Sequence, residues 1–439
     1  MTKTADIADD FSEQFTQKLS AFFMRATAQC DPNHFCSKEK EDNKMLQSIA
    51  LILLVGMATG AICRKCKLPS LLGMLVTGMV LGPYVWNLID DSILGISADL
   101  RKIALIIILT RAGLGLDLSG LKKIGRPAVM MCFVPASFEL LGIVLLAPKL
   151  LGMSYLEAAI LGAVLAAVSP AVVVPRMVKL MEEGYGTKQG IPQLILAGAS
   201  VDDVYVIVLF STFTGMTQGN KISAINFVNV PVSIILGIAL GLLMGYVLSV
   251  LFWYVHMRDT SKVLIMISIS FLLVTLENSL QTSITFSALI AIMFIGVGLQ
   301  KYRGAVAKRL SVKYSKLWVG AEVFLFVLVG ATVNIHYLSH VGWDALFVIV
   351  FALGFRMLGV FVCLLGTGFR FRERLFTMLA YTPKATVQAA IGGIPLAMGL
   401  SCGDTVLAVA VLAIVLTAPL GAFAIDLTYQ RLLAKEEMR

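Results

Sequence analysis

The chain has 439 residues, of which 58% are apolar and only 14% are charged, and its formal net charge is +9. Ordinary soluble domains are about 45–50% apolar and about 25% charged, so the composition excludes a water-soluble enzyme and predicts an all-α polytopic membrane protein. Long unbroken apolar runs exclude a transmembrane β-barrel, and basic residues spread over short loops favour membrane orientation over nucleic-acid binding.

Apolar runs separated by charged or Pro/Gly-containing loops predict about 13 transmembrane helices, which follow a polar N-terminal tail at residues 1–44. Because this number is odd, the two termini are expected on opposite sides of the membrane. The predicted spans start near Met45, Pro69, Leu100, Pro127, Leu156, Ile191, Val228, Val263, Ile284, Lys316, Ala345, Leu375 and Thr405.

Loop charges predict the orientation. Lys and Arg cluster in the loops that follow odd-numbered spans, whereas the loops on the opposite side carry only Arg101, Lys102, Lys149 and Lys221. Basic residues accumulate on the cytoplasmic side of membrane proteins. We therefore expect a multi-pass protein of the cell membrane, plasma or inner, with its N-terminus outside and its C-terminus in the cytoplasm.

Two of the predicted spans are interrupted by related proline-containing strings, which begin at Ser169 and Thr382 and lie 213 residues apart. The helices before them also match, since Gly113–Asp117 and Gly330–Asn334 are 217 residues apart. Spans three to five and ten to twelve are therefore predicted to form inverted-topology repeats with two broken crossing helices. This is the plan of a secondary transporter.

The breaks predict an ion site near the membrane midplane, because freed backbone groups persist there only when they are buried or line a cavity. Asp202 and Asp203 lie in the middle of the sixth span. Adjacent carboxylates cannot both be ionised cheaply in a low dielectric, so the pair is expected to bind a proton, or a small monovalent cation when deprotonated. Hydroxyls of Ser169 or Thr382 are expected to add ligands; the alternative is that one aspartate is purely structural.

Lys384 directly follows the second break. Its ammonium is expected to compensate the charge of an aspartate that has no bound ion, and to give up this role when a cation binds. The alternative is a lysine that only stabilises the unwound crossing. Glu139 and Arg356 are 217 residues apart, the same offset as the repeat. Equivalent positions of inverted repeats can meet near the pseudo-two-fold axis, so a buried and mainly structural Glu139–Arg356 pair is predicted.

Two further charged residues have open roles. Arg111 can anchor at the interface or pair with Asp117, and Glu322 is either a second protonatable group or an acid near the cytoplasmic interface. The chain lacks a Walker A loop, a flanked dinucleotide fingerprint and a nucleophile elbow. We therefore expect that transport is not driven by ATP, that there is no cofactor beyond the transported ions, and that the protein is not an enzyme.

Four strings resemble the NHA-type sodium/proton antiporters of the cation/proton antiporter superfamily. They are 111–117, 168–175, 198–203 and 383–392. The resemblance covers about residues 45–433 and implies a homodimer in which a mobile six-helix core slides, as an elevator, against a dimerisation domain.

The resemblance also implies roles for single residues. The main ion ligand falls on Asp203, its neighbour in the pair on Asp202 and the crossing-helix lysine on Lys384. The family's buried Glu–Arg pair falls on Glu139 and Arg356, in agreement with the repeat offset.

The resulting hypothesis is a secondary antiporter that exchanges Na⁺ or Li⁺ for H⁺ at the aspartate pair. Three alternatives stay open: a Na⁺-coupled organic solute symporter of the same fold, a K⁺-selective cation/proton antiporter, and a cation channel. The predicted divisions are an N-terminal tail 1–44, dimerisation helices 45–98, core repeat one 99–216, scaffold and linker helices 217–300, core repeat two 301–433 and a C-terminal tail 434–439.

Overall fold

The computed structural model describes residues 37–66, 68–115, 125–217, 224–279 and 286–435. The described residues from Ser48 onward form one compact unit, and before Ser48 the structure describes only the start of the first helix. The described chain is helical almost throughout, and its one β-bridge joins Tyr185 to Lys435.

The helices of the first half run up to the acidic sixth predicted span. They are α1 (Ser37–Lys65), α2 (Ser70–Leu81), α3 (Asp91–Gly95), α4 (Ser97–Gly115), α5 (Arg126–Met131), α6 (Val134–Leu150), α7 (Tyr155–Leu165), α8 (Pro170–Glu183) and α9 (Ile191–Thr217).

The helices of the second half include the longest of the described chain. They are α10 (Ala224–Tyr254), α11 (Asp259–Ser279), α12 (Ala288–Thr332), α13 (Ile335–Cys363), α14 (Phe371–Ala380), α15 (Thr386–Ile391), α16 (Ile394–Ala397) and α17 (Gly403–Leu432).

Nine helices among the described residues are long and apolar enough to cross a membrane, and shorter apolar helical segments occupy 70–81 and 386–397. The prediction of a helical multi-pass protein is confirmed, while the number of crossings stays a prediction. The predicted ninth and tenth spans both fall on α12. This helix has 45 residues and is interrupted at Arg303, whose φ of −143° and ψ of 62° are not helical.

The described helices pack in two groups. The flanking bundle is built around α12, which contacts α2, α4, α10 and α11. The ion-site bundle comprises α5–α9 and α13–α17, with α6 against α13, α7 against α9 and α14 against α17. The two groups touch through α15, which contacts α4 and α12, and through α9 and α10.

The predicted divisions at 99 and 301 place α4 and the second half of α12 in the core repeats, and these divisions stay a prediction. In the structure α4 packs mainly on α12. Their backbones approach so closely at Gly113 that a Cβ there would overlap the Met293 carbonyl. Small residues permit this kind of helix contact in membranes, and hydropathy alone does not show which helices make it.

Candidate functional site

The first break lies between α7, which ends at Leu165, and α8, which begins at Pro170 with Ser169 as its N-cap residue. Proline favours the first position of a helix because it lacks an N–H and its φ is fixed. The carbonyls at the end of α7 are thus left without partners in their own helix. This segment is deeply buried. In the apolar 18-residue stretch of Tyr155–Glu183, 78% is buried, whereas the corresponding stretch of Lys44–Lys65 is 28% buried.

The second break separates α14, which ends at Ala380, from α15, which begins at Thr386. The two breaks meet through their backbones, because the Ser169 N–H donates to the Pro383 carbonyl at 2.7 Å. The α8 half-helix directs its N-terminal, positive end toward this crossing, and α7 directs its C-terminal, negative end.

Side chains on α13 and near the second break satisfy the carbonyls that end α7. Lys384 Nζ donates to the Leu165 carbonyl at 2.6 Å, and Gln388 Nε2 donates to the Ala167 carbonyl at 2.9 Å. Arg356 Nη1 donates to the Ala166 carbonyl. The interruption therefore survives in the membrane because donors from the second half of the chain replace the lost helical bonds.

Four buried charged residues form one network. Arg356 donates through Nη1 to Glu139 Oε2 at 2.8 Å and through Nη2 to Asp202 Oδ2 at 2.7 Å. Lys384 Nζ lies 2.6 Å from Glu139 Oε1. All four are at most 1% exposed. Buried ion pairs offset their desolvation only when the geometry is close and the remaining valences are filled. The distances in this network meet the first condition, whereas Asp202 Oδ1 has no hydrogen-bond donor among the described residues.

The structure reveals pairings that the sequence did not predict for Lys384 and Asp202. Lys384 lies against Glu139, whereas the prediction placed it against an aspartate. Asp202 is held by Arg356 and also accepts the Val168 N–H at 3.0 Å.

Asp203 lies beside this network, and it has no ion pair within the described residues. Its side chain is 5% exposed, and its Oδ1 has no hydrogen-bond partner there. With every group ionised, the three carboxylates of the site outweigh its two cations by one negative charge. Binding of one proton or one monovalent cation therefore makes the site neutral. Such binding is favoured because an uncompensated buried charge is costly.

Five buried side-chain oxygens of the aspartate pair and of residues at the two breaks have no hydrogen-bond donor in the described part of the chain. Hard oxygen atoms of this kind suit small, hard cations. The five atoms are Asp202 Oδ1, Asp203 Oδ1, Ser169 Oγ, Thr386 Oγ1 and Gln388 Oε1.

Thr386 and Gln388 were missed by the sequence analysis. Both follow Lys384 within one helical turn, and this polar pattern in an otherwise apolar helix could have pointed to them. The predicted Thr382 is only half-buried, and its hydroxyl donates to the Leu379 carbonyl at 2.8 Å. Ser169 is thus the better placed of the two predicted hydroxyls.

Arg111 and Glu322 lie on α4 and α12, in the flanking bundle. They interact electrostatically with each other, and Arg64 also acts on Glu322. Asp117, the predicted partner of Arg111, lies outside the described residues. Neither Arg111 nor Glu322 belongs to the network around Arg356 among the contacts of the described chain.

Comparison with known proteins adds a family match over most of the chain. The family model described as "Sodium/hydrogen exchanger, transmembrane" matches residues 49–428. The chain is 36% identical over 390 residues to human sodium/hydrogen exchanger 9B2, an alignment that covers 84% of this chain and 71% of the relative. It is 32% identical to human sodium/hydrogen exchanger 9B1 over 395 residues, which cover 84% and 73%.

A solved structure has the same fold. It is that of the sodium proton antiporter MjNhaP1 from Methanocaldococcus jannaschii at pH 8, with a TM-score of 0.78 and 22% sequence identity. The superposition covers 89% of this chain and 99% of that one.

Proposed function

Because the chain belongs to the sodium/hydrogen exchanger family, a family of cation/proton antiporters, we propose that it exchanges Na⁺ or Li⁺ for H⁺ with the two ions alternating on Asp203. One observation carries this proposal: Asp203 is the carboxylate of the site that lacks an ion pair in the described chain. Its charge is therefore the one left for a transported ion to balance.

The buried network has a fixed task in this mechanism. Arg356 holds Asp202 at 2.7 Å and Glu139 at 2.8 Å, so these carboxylates keep their charges compensated throughout the cycle. Lys384 balances the remaining charge on Glu139 and ties it to the Leu165 carbonyl. A cation or a proton on Asp203 then makes the whole site neutral, and only the neutral site crosses the low-dielectric barrier.

The cation is held by Asp203 with further side-chain oxygens around it. Asp202 supplies the carboxylate oxygen that Arg356 does not use, and Ser169 and Thr386 supply unpartnered hydroxyls. Protonation of Asp203 removes the negative charge that attracts the cation. The two ions therefore compete for one residue, which is the requirement for obligatory exchange.

We assign alternating access to movement of the ion-site bundle against the flanking bundle. Both broken helices and the whole buried network lie in the ion-site bundle, so the site travels as one piece. The proposal retains the elevator motion and the homodimer that the family resemblance implies. It also retains the orientation in the cell membrane that loop charge predicts. It places the boundary of the moving part after α4 rather than before it.

The test uses proteoliposomes with an internal pH-sensitive dye and a pH gradient. Addition of Na⁺ or Li⁺ is expected to dissipate the gradient, whereas choline does not. Asp203→Asn is expected to abolish the response while the purified protein remains monodisperse and folded. Asp404→Asn, an exposed aspartate in the first turn of α17, is the matched control and should exchange like wild type.

Three results would overturn the proposal. Persistent exchange in Asp203→Asn would show that another group carries the ion. Substrate-dependent Na⁺ uptake without proton flux in the wild type would favour a symporter, and a response to K⁺ equal to that for Na⁺ would replace the proposed cation.

A further inference from the structure

A cavity of about 690 Å³ lies away from the ion site, in the flanking bundle. It opens where α10 ends, where α11 begins, and beside the interruption of α12 at Arg303. Loop charge predicts that this end of the bundle faces the cytoplasm. Nothing in the proposed exchange mechanism uses this cavity.

The cavity wall carries an excess of positive charge. Arg309 Nε lies 2.9 Å from Asp259 Oδ2, and Lys262 Nζ lies 3.5 Å from Asp259 Oδ1, so two cations share one carboxylate. Arg258 and Arg303 also line the cavity, and neither forms an ion pair with any residue that the structure describes. Among the described residues, four cations thus face one acid, and two of these cations form no ion pair.

The local structure holds these cations in place. Lys262 is 6% exposed, and its ammonium lies 5.6 Å from the centre of the Phe252 ring, within cation–π distance. The non-helical backbone at Arg303 interrupts α12 at the cavity. The N-terminus of the 21-residue helix α11 is at the same place and adds the positive end of its dipole.

The cavity lies at the level expected for lipid headgroups. Trp253 and Tyr254, at the end of α10, are 57% and 71% exposed. Aromatic residues of this kind concentrate at the membrane–water interface. A basic pocket at that depth on the cytoplasmic side is suited to anionic headgroups.

We propose that this basic cavity binds a phosphate-bearing anion, and that the membrane supplies it as the headgroup of an anionic phospholipid. Guanidinium groups bind phosphate through paired N–H donors. Arg258 and Arg303 are the guanidinium groups of the cavity that form no ion pair with a described residue. Trp253 and Phe252 line the same cavity beside the site of the headgroup.

The test measures thermal unfolding of the purified full-length protein in a neutral detergent during titration with phosphatidylglycerol, phosphatidylcholine or glycerol 1-phosphate. Phosphatidylglycerol is expected to raise the unfolding temperature saturably, and phosphatidylcholine is not. If glycerol 1-phosphate has an equal effect at equal concentration, the proposal of a lipid as the source is overturned and the site takes free phosphate esters.

The variant Arg258→Gln/Arg303→Gln is expected to lower the apparent affinity for phosphatidylglycerol by about tenfold or more. The matched control is Lys313→Gln/Lys316→Gln, which removes two exposed cations of α12 outside the cavity and should bind within about twofold of wild type.

Equal loss in both double variants would show a non-specific surface effect and overturn the proposal, as would wild-type affinity in the cavity variant. If Arg303→Gln lowers the basal unfolding temperature, Arg258→Gln alone serves as the test. Arg258 is exposed, and its replacement should still weaken binding severalfold.

Discussion

Arg356 connects three parts of the molecule at once. Besides the two carboxylates, its Nε donates to the Tyr381 carbonyl at 2.6 Å, and its guanidinium lies 4.9 Å from the centre of the Tyr381 ring. Tyr381 in turn donates its hydroxyl to the Met131 carbonyl at 3.0 Å. A single side chain on α13 therefore fixes the second break relative to the first.

The network makes the charge of each member depend on the others. Lys384→Gln removes one of the two partners of Glu139 and is expected to destabilise the protein by about 3–5 kcal/mol, because a buried carboxylate is left partly uncompensated. The double variant Glu139→Gln/Lys384→Gln removes one charge of each sign. It should recover most of the loss, as seen in unfolding temperatures of purified protein in a double-mutant cycle.

Lys316→Gln, an exposed lysine on α12, is the control for this cycle and should unfold like wild type. Additive losses in the double variant would contradict the proposed compensation between Glu139 and Lys384.

Thr386 offers a test of the cation ligands that leaves the charges unchanged. Its hydroxyl is buried and has no hydrogen-bond partner in the described chain. Thr386→Val should therefore cost little stability, while the apparent KM for Na⁺ rises about fivefold, equivalent to roughly 1 kcal/mol of lost coordination. The measurement is initial exchange rate against Na⁺ concentration.

Thr377→Val serves as the comparison, because Thr377 is equally buried but its hydroxyl is bonded to the Glu373 carbonyl. The assignment of Thr386 fails if its variant keeps the wild-type KM, or if both variants change KM equally.

At the scale of the helices, the two breaks depend on close packing as well as on proline. Gly421 on α17 faces the ring of Pro383, and a Cβ at this position would overlap Pro383 Cγ. Gly421→Ala is expected to displace the second break, with a stability loss of about 1–3 kcal/mol and a lower maximal exchange rate. Thermal unfolding and proteoliposome flux measure the two effects.

Gly354→Ala is the matched control on α13, because no atom lies within 4 Å of its added Cβ. Alanine favours a helix over glycine by about 1 kcal/mol, so this variant should be at least as stable as wild type. Equal behaviour of the two variants would show that the contact with Pro383 is not required.

Sequence patterns predicted the elements better than their contacts. Apolar runs placed the helices, Pro170 and Pro383 marked the two breaks, and the repeat offset put Glu139 opposite Arg356, which the structure places 2.8 Å apart. The motif resemblance to sodium/proton antiporters is confirmed by the family match. The partner of Lys384 was not predictable, because sequence spacing does not tell which of three nearby carboxylates an ammonium reaches.

At the scale of the whole molecule, the charge count of the ion site constrains what the transporter moves per cycle. Asp202 and Glu139 are committed to Arg356 and Lys384. In the proposed mechanism Asp203 then exchanges one proton for one monovalent cation, and the site is neutral in both loaded forms. An aspartate pair by itself would suggest two protons per cation, but the contact between Arg356 and Asp202 removes one aspartate from that count.

The expected result is electroneutral exchange of one Na⁺ for one H⁺. Initial rates in proteoliposomes should be the same whether a K⁺ gradient with valinomycin sets the membrane potential to zero or to a large negative value. A tenfold Na⁺ gradient should be balanced by a proton gradient of about one pH unit in the same direction, at which net exchange stops. Balance at about half a unit with the potential held at zero would instead mean two protons per Na⁺, and a second group, either Asp202 released from Arg356 or Lys384 released from Glu139, would then have to titrate during the cycle.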